Sequence, residues 1–579
     1  MSQADVQKRS IDTIRVLAMD AVQKANAGHP GTAMALAPLA YLLYTKVMRH
    51  NPANPEWPNR DRFVLSAGHA CILQYTALHL TGYNVALEEL KRFRQWQSIT
   101  PGHPEHFLTP GIETTTGPLG QGFANGVGFA MAERFLADRY NRPYAEIVDH
   151  RVYCICSDGD LMEGVSNEAA SLAGQNGLGK LVYFYDDNHI TIDGTTSISF
   201  SVEDRGKRFE AQGWHVQHVE DSEDLAAFEA AIDEAHAVAD RPSLIVVHSH
   251  IAYPAPHAQD TAKSHGSPLG EDEVRATKEI LGFDPDEHFA VDPAVYEHMD
   301  MTQRGIELEQ EWRDGFERWS SEYPRLREDW EQAHTGRLRP GWEPPVFAAG
   351  DDMATRDAGK KIMQSFKSFA PTMIGGSADL VESTKTEFVG GGLFSATHAG
   401  RNIAFGIREH GMGAIVNGIA LHGGMVKPYG ATFLQFADYM RAAVRLSALA
   451  HVEDVWVWTH DSVGLGEDGP THQPVEHYMA LRAIPNLWFI RPADANETSW
   501  AWKVALEREG GPVALSLTRQ KLPTLDRSEV AAASGLERGA YVLWDSGDSP
   551  DLILIATGSE VGLAFEAGKR IAAENGTMV

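Results

Sequence analysis

The chain has 579 residues, well past the roughly 250–300 at which a single core stops growing, so several domains are the default. Its 43% hydrophobic and 22% charged residues exclude a disordered, collagenous or coiled-coil chain. A net charge of -29 repels nucleic-acid phosphates and anionic lipid, which sets aside nucleic-acid and membrane partners and directs attention to local Arg and His clusters as sites for anionic substrates.

The first ten residues, MSQADVQKRS, are polar and lack an apolar signal core, and the apolar run 33–44 is too short to span a bilayer and holds Pro38. Cys71, Cys154 and Cys156 are odd in number, and the last two alternate in a strand-like run where they cannot bridge without distortion. Both features predict a cytoplasmic protein in a reducing compartment. The runs Arg151–Cys156, Leu181–Tyr185 and Leu244–His248 alternate with helical patterns, the signature of a parallel sheet with crossover helices. An acidic helical stretch follows, and the segment RLRPGWEPPVFAAG (337–350) interrupts all periodicity. The expectation is an α/β fold of several domains, with parallel sheets flanked by helices: a first domain over 1–335, a linker over 336–350, and a second domain over 351–535 with strands at Thr372–Ile374, Val455–Thr459 and Val513–Thr518. From Ala540 the pattern reads strand, strand, helix, so residues 536–579 predict a third α/β unit that begins and does not finish.

Nearly every predicted strand runs directly into polar, Gly-rich sequence at its carboxyl end, where ligands bind open parallel sheets. Gly174 to Lys180 nearly matches a P-loop, but Leu181 stands where the metal-binding hydroxyl belongs and the order is helix, loop, strand. Gly120, Gly122 and Gly126 have one residue too many for a dinucleotide fingerprint, and no acidic ribose-binding residue follows. The loop precedes an amphipathic helix running through Arg134, so anion binding by its N–H groups stays open. Asp158 closes one strand and Asn188 the next, thirty residues on, which offers a carboxylate, an amide oxygen and the nearby Ile190 carbonyl to a hard cation such as Mg2+. Asp and Asn are equally the residues of ordinary turns.

The Asp158-Gly159 to Asn188 spacing resembles the thiamine diphosphate motif, and seven segments in order resemble the transketolase family: Ala27–Gly31, Leu65–His69, Thr100–Glu105, Glu113–Gly122, Ser157–Gly164, Phe405–Met412 and His460–Pro474. The resemblance implies that Asp158, Asn188 and the Ile190 carbonyl hold Mg2+, with Ca2+ or Mn2+ as substitutes, and that the metal clamps thiamine diphosphate. It assigns His69, Gly117, Leu119, Gly159, Glu163, Asn188 and His265 to cofactor binding, and Phe433, Phe436 and Tyr439, three apart on a predicted helix, to the pyrimidine ring. Without the family those aromatics read as core.

By the same resemblance Glu409 is the activating carboxylate on the aminopyrimidine, a role that calls for poor hydration and a raised pKa. His29, His103, His460 and His472, with Asp468, match residues that hold sugar hydroxyls and move protons; His265, Arg356, Ser383 and Arg519 match further substrate positions, where a guanidinium fork suits phosphate. Two departures stand out: Ser157 replaces the usual glycine before the motif, and Ala262 stands where relatives often carry a second histidine. The implied activity is reversible transfer of a two-carbon ketol unit between sugar phosphates in the pentose phosphate pathway, by a homodimer with active sites at the subunit interface. Dihydroxyacetone synthase, 1-deoxyxylulose-5-phosphate synthase and a non-catalytic relative remain alternatives on the sequence.

Overall fold

The structure, a computed structural model, describes residues 2–425 and 427–579, which divide into two compact units meeting in sequence at Arg327 and Glu328. In the first, α1 (Gln3–Ala25) precedes β1 (Arg62–Leu65), α2 (Cys71–Leu80), α3 (Gln121–Tyr140), β2 (Val152–Ser157), α4 (Gly164–Gln175), β3 (Leu181–Asp187), β4 (His215–Val219), α5 (Leu225–Ala237) and β5 (Ser243–His248). The five strands form one parallel sheet in the order β1-β2-β3-β5-β4. Every residue of β2 and β3 is buried, the pattern of a parallel sheet covered on both faces.

Helix α3 approaches this sheet closely because it carries glycine where it packs. A Cβ on Gly126 would lie 2.2 Å from the Tyr183 hydroxyl, and one on Gly122 would lie 2.7 Å from Ser66 Cα. The helix is consequently buried around most of its circumference, not amphipathic as the sequence predicts. Its start is also internally satisfied: Gly120 N–H donates to Asp160 Oδ1 (2.7 Å) and Phe123 N–H to Ser66 Oγ (2.8 Å), which leaves those groups closed to an external anion.

The second unit contains α6 (Thr355–Phe366), β6 (Gly375–Ser377), β7 (Asn402–Ala404), α7 (Glu409–His422), β8 (Tyr429–Phe433), α8 (Arg441–Leu449), β9 (Val455–Thr459), β10 (Trp488–Ile490), α9 (Ala495–Glu507), β11 (Val513–Ser516) and α10 (Glu560–Asn575). Its six strands are again parallel, in the order β7-β6-β8-β9-β11-β10, and its core gathers Phe366, Val455, Val457, Trp502, Val513 and Leu515.

Three expectations need correction here. The strand predicted at Thr372–Ile374 forms instead at Gly375–Ser377. Its glycines read as a break, yet a Cβ on Gly376 would lie 1.8 Å from the Ile403 carbonyl oxygen, so close strand approach excludes a side chain. The segment 337–350, expected as a linker, is bound to the second unit: Phe347 exchanges backbone bonds with the Asn496 side chain (2.8 and 3.1 Å), and Leu338, Trp342 and Phe347 pack on the core. Between 541 and 556 no strand forms among the described residues. A strand needs a hydrogen-bonded neighbour, and Ile553 and Ile555 instead stay 73% and 91% exposed. Only the final helix of that predicted α/β unit is present; Arg491 anchors α10, bonding Asp461 (2.8 Å) and Ser559 (2.9 Å) and pairing with Glu560.

Candidate active site

The carboxyl end of the first sheet gathers oxygen ligands. Asp158 follows β2, and its Oδ1 accepts a short bond from the Tyr185 hydroxyl of β3. Its Oδ2 is buried with no partner, and burial pushes the carboxyl up to about 6. A buried carboxylate with an unfilled lone pair is stabilised by a cation. Asn188 Oδ1 accepts from Ile190 N–H (2.9 Å), while Asn188 Nδ2 donates to Asp186 Oδ2 (2.7 Å), so the amide is oriented and retains a free lone pair on oxygen. These groups fit a hard divalent ion held by carboxylate, amide and carbonyl oxygens.

Beside them, His29 and His103 from loops, His69 from the 3-10 turn Gly68–Ala70 and His265 from the short helix Ala262–Gly266 come together. Ring centroids lie 4.9 Å apart for His69 and His265, 5.2 Å for His29 and His69, 5.8 Å for His29 and His265, and 6.3 Å for His29 and His103. Burial, Arg94 and the neighbouring rings hold His29 down at about 4, and burial lowers the other three as well. The Arg94 guanidinium, which can only donate, reaches His29 Nδ1 at 3.2 Å; Nδ1 therefore accepts and Nε2 carries the proton. His69 Nε2 and His265 Nδ1 are buried without partners, a pair of ring nitrogens able to meet an anionic group. Gly117 (φ +137°) packs on His103, and a Cβ on Gly159 would meet Leu119 at 2.7 Å, so these backbones form a close cradle at the sheet end. Glu163 stands at the exposed start of α4.

In the second unit Glu409 is the first residue of α7 and is buried. Burial raises its carboxyl above the ordinary range, and its Oε1 accepts from the Thr432 hydroxyl at 3.0 Å. The aromatic trio does not lie on one helix. Phe433 ends β8, Phe436 lies in the 3-10 turn Leu434–Asp438 and Tyr439 follows it, 68% exposed. Strand β8 runs to Phe433 because Ala431, Thr432 and Phe433 pair with Val457, Trp458 and Thr459, a long-range partnership that overrides the three-residue spacing.

A cavity of about 390 Å³ opens at the carboxyl ends of β8 and β9, and Arg356, Ser383, Phe433, His460, Asp468, His472 and Arg519 line it together with Glu382. His460 adopts φ +61° directly after β9, a conformation unusual outside glycine, and its ring lies 3.7 Å from that of Phe433. Burial and the charges of Arg356 and Arg519 hold its pKa down at about 3. Its Nε2 faces Asp468 at 3.9 Å. Arg356 donates to the Ser383 carbonyl (2.9 Å) and keeps a buried, unpartnered Nε. The cavity thus presents two guanidinium groups and two imidazoles, a set that can bind a phosphate and exchange protons with hydroxyls.

Several supporting residues escaped the sequence analysis. Asp160 ties three loops together by accepting from Ser66 Oγ (2.6 Å), Gly120 N–H (2.7 Å) and Ser157 N–H (2.9 Å). Arg94 bridges His29 to the Gly102 carbonyl (3.2 Å) beside His103. Glu467 pairs with Arg519 at 2.5 Å. Of these, Asp160 and Glu467 carry a readable signal, since Asp160 lies within Ser157–Gly164 and Glu467 within His460–Pro474.

Comparison with known proteins accords with this geometry. Residues 6–339 match the family model for the transketolase thiamine diphosphate binding domain, and 351–524 that for the transketolase pyrimidine binding domain. The transketolase of Nostoc sp. is 50% identical over 577 residues, covering 98% of this chain and 86% of the relative; that of Bacillus subtilis is 49% identical over 576 residues, with the same coverage. A crystal structure of Pichia stipitis transketolase in complex with sedoheptulose 7-phosphate superposes with a TM-score of 0.95 at 45% identity, covering 98% of this chain and 85% of that one. Among the described residues no helix is long and apolar enough to cross a membrane. The chain belongs to the transketolase family.

Proposed function

We propose that this transketolase moves a two-carbon ketol unit reversibly from xylulose 5-phosphate to ribose 5-phosphate or erythrose 4-phosphate, with thiamine diphosphate and Mg2+ as cofactors. When bound, the cofactor supplies the nucleophile and the electron sink for carbon–carbon cleavage. The Asp158 carboxylate, Asn188 and the Ile190 carbonyl hold the metal, and His69 and His265 turn their unpartnered nitrogens to the diphosphate. Glu409, its carboxyl raised above the ordinary range by burial, would hydrogen-bond the pyrimidine, with Phe433 and Phe436 as its apolar wall. His29 carries its proton on Nε2 and joins His103, His460 and His472 in exchanging protons with the substrate hydroxyls. Arg356, Ser383 and Arg519 grip the substrate phosphate.

The observation that supports this reading most is the single cavity in which two guanidinium groups, two histidines, Asp468 and Phe433 converge. The domain assignment of diphosphate binding to 1–335 and pyrimidine binding to 351–535 goes with it. So does a homodimer in which each active site draws Asp158 from one chain and Glu409 from the other. The three cysteines are free and buried, which supports a cytoplasmic setting. The test is formation of sedoheptulose 7-phosphate from xylulose 5-phosphate and ribose 5-phosphate, with and without thiamine diphosphate and Mg2+. Cofactor-dependent product is expected; preference for formaldehyde as acceptor would overturn the assignment.

A further inference from the structure

The first unit carries a second cluster of metal-ligating groups, at the exposed edge of its sheet. His218 is the penultimate residue of β4, Glu220 follows the strand, and the buried Val219 between them turns to the opposite face, so both polar side chains share one side. His248 ends the neighbouring strand β5, where β4 and β5 pair Val219 with Val247. One ligand atom from each of His218, Glu220 and His248 lies within 4.8 Å of the others, and the two imidazole rings stack at 6.1 Å with an interplanar angle of 19°. Tetrahedral ligands around Zn2+ lie about 3.3 Å apart, a contraction that rotations of these accessible side chains supply.

The two nitrogens of His248 face different partners. Nε2 points to Glu220 at 3.7 Å, and Nδ1 to Asp187 at 3.4 Å. Asp187 is buried and is itself held by Arg205 (2.8 Å) and the Tyr185 hydroxyl (2.8 Å). A fixed carboxylate behind one nitrogen, with the other aimed at a carboxylate and a second imidazole, is the arrangement that orients a histidine toward a metal. We propose that His218, Glu220 and His248 form a binding site for a borderline divalent transition metal such as Zn2+, with Asp187 as positioning residue. Two imidazoles and one carboxylate suit Zn2+, Ni2+ or Cu2+, whereas Mg2+ and Ca2+ prefer all-oxygen sites and should not compete. Three protein ligands leave a coordination position for water or an exogenous group.

The test uses the enzyme saturated with thiamine diphosphate and Mg2+, titrated with Zn2+ by calorimetry and with Co2+ by visible absorption, beside His218→Ala and Glu220→Gln. Every other histidine is the same in the three proteins, so the difference isolates this site. Wild type is expected to take up one Zn2+ that excess Mg2+ does not displace, and each variant to bind it at least about tenfold more weakly. The Co2+ absorption band of wild type should be lost in His218→Ala. The metal-free melting temperatures of the three should agree, because both side chains are exposed. Equal Zn2+ uptake by wild type and both variants, or no uptake by wild type, would overturn the proposal.

Discussion

The two units place their functional groups at the same point of the same architecture, the carboxyl ends of a parallel sheet, yet they solve opposite electrostatic problems. The first gathers oxygens and four histidines of lowered pKa and leaves Asp158 Oδ2 without a partner, so its unmet demand is for a cation. The second turns Arg356 and Arg519 into a cavity beside a histidine held neutral by burial and by those same arginines, so its unmet demand is for an anion. Under the proposed function a metal-clamped diphosphate answers the first demand and a sugar phosphate the second. In a chain of net charge -29, neither demand follows from composition; each is set locally.

Breaking each half should therefore give a different signature. The largest effect is expected for Glu409→Ala and Glu409→Gln, both of which remove the buried carboxylate while leaving the phosphate cavity intact. Turnover should fall by roughly 10²–10⁴-fold in steady-state assays, with cofactor binding retained. Asp158→Asn should instead act on loading: affinity for thiamine diphosphate with Mg2+, read by calorimetry, should drop by more than the roughly 10–100-fold that loss of a supporting hydrogen bond costs a metal site. Glu409 variants that lost the cofactor as well would blur the contrast between the halves.

A smaller and more selective change is expected for Arg519→Leu. Loss of a charged hydrogen-bonding group should raise KM for phosphorylated substrates by roughly 10–100-fold and leave KM for hydroxypyruvate, which has no phosphate, nearly unchanged. An equal rise for both would assign Arg519 to structure, through its Glu467 pair, rather than to phosphate.

The gentlest probe is pH. His29 and His460 sit at about 4 and about 3 in the folded chain, against about 6.5 when unfolded. Between pH 6.5 and 3 the unfolded state binds more protons, so stability present above pH 6.5 is lost as pH falls through that window. On acidification from pH 7 to 4 the melting temperature of wild type should fall relative to that of His460→Gln, because the variant lacks one of these groups.

Much of this site is legible in the sequence because it is written in short local motifs. Asp158-Gly159, Arg408-Glu409 and the loop from His460 to His472 are contiguous, and one cavity brings Arg356, Ser383 and Arg519 to that last loop. What stays illegible depends on partners distant in sequence. Gly375–Ser377 is a strand only because Ile403 and Tyr429 leave no room for side chains, and Phe433 is a strand end because Thr459 pairs with it. The run around Ile553 has the composition of a strand but no ladder to join. Arg94 sets the His29 tautomer from a neighbouring loop, a contact with no periodicity to announce it.

In the proposed homodimer the two complementary halves form one catalytic centre shared between copies of the chain. Mixing Asp158→Asn with Glu409→Ala after dissociation and reassociation tests it directly. A shared site predicts that two nearly inactive proteins regain about a quarter of wild-type ketol transfer, since random assortment makes half the dimers mixed and each mixed dimer has one intact site. Activity no higher than that of either parent, with mixed dimers demonstrated by mass spectrometry, would contradict it.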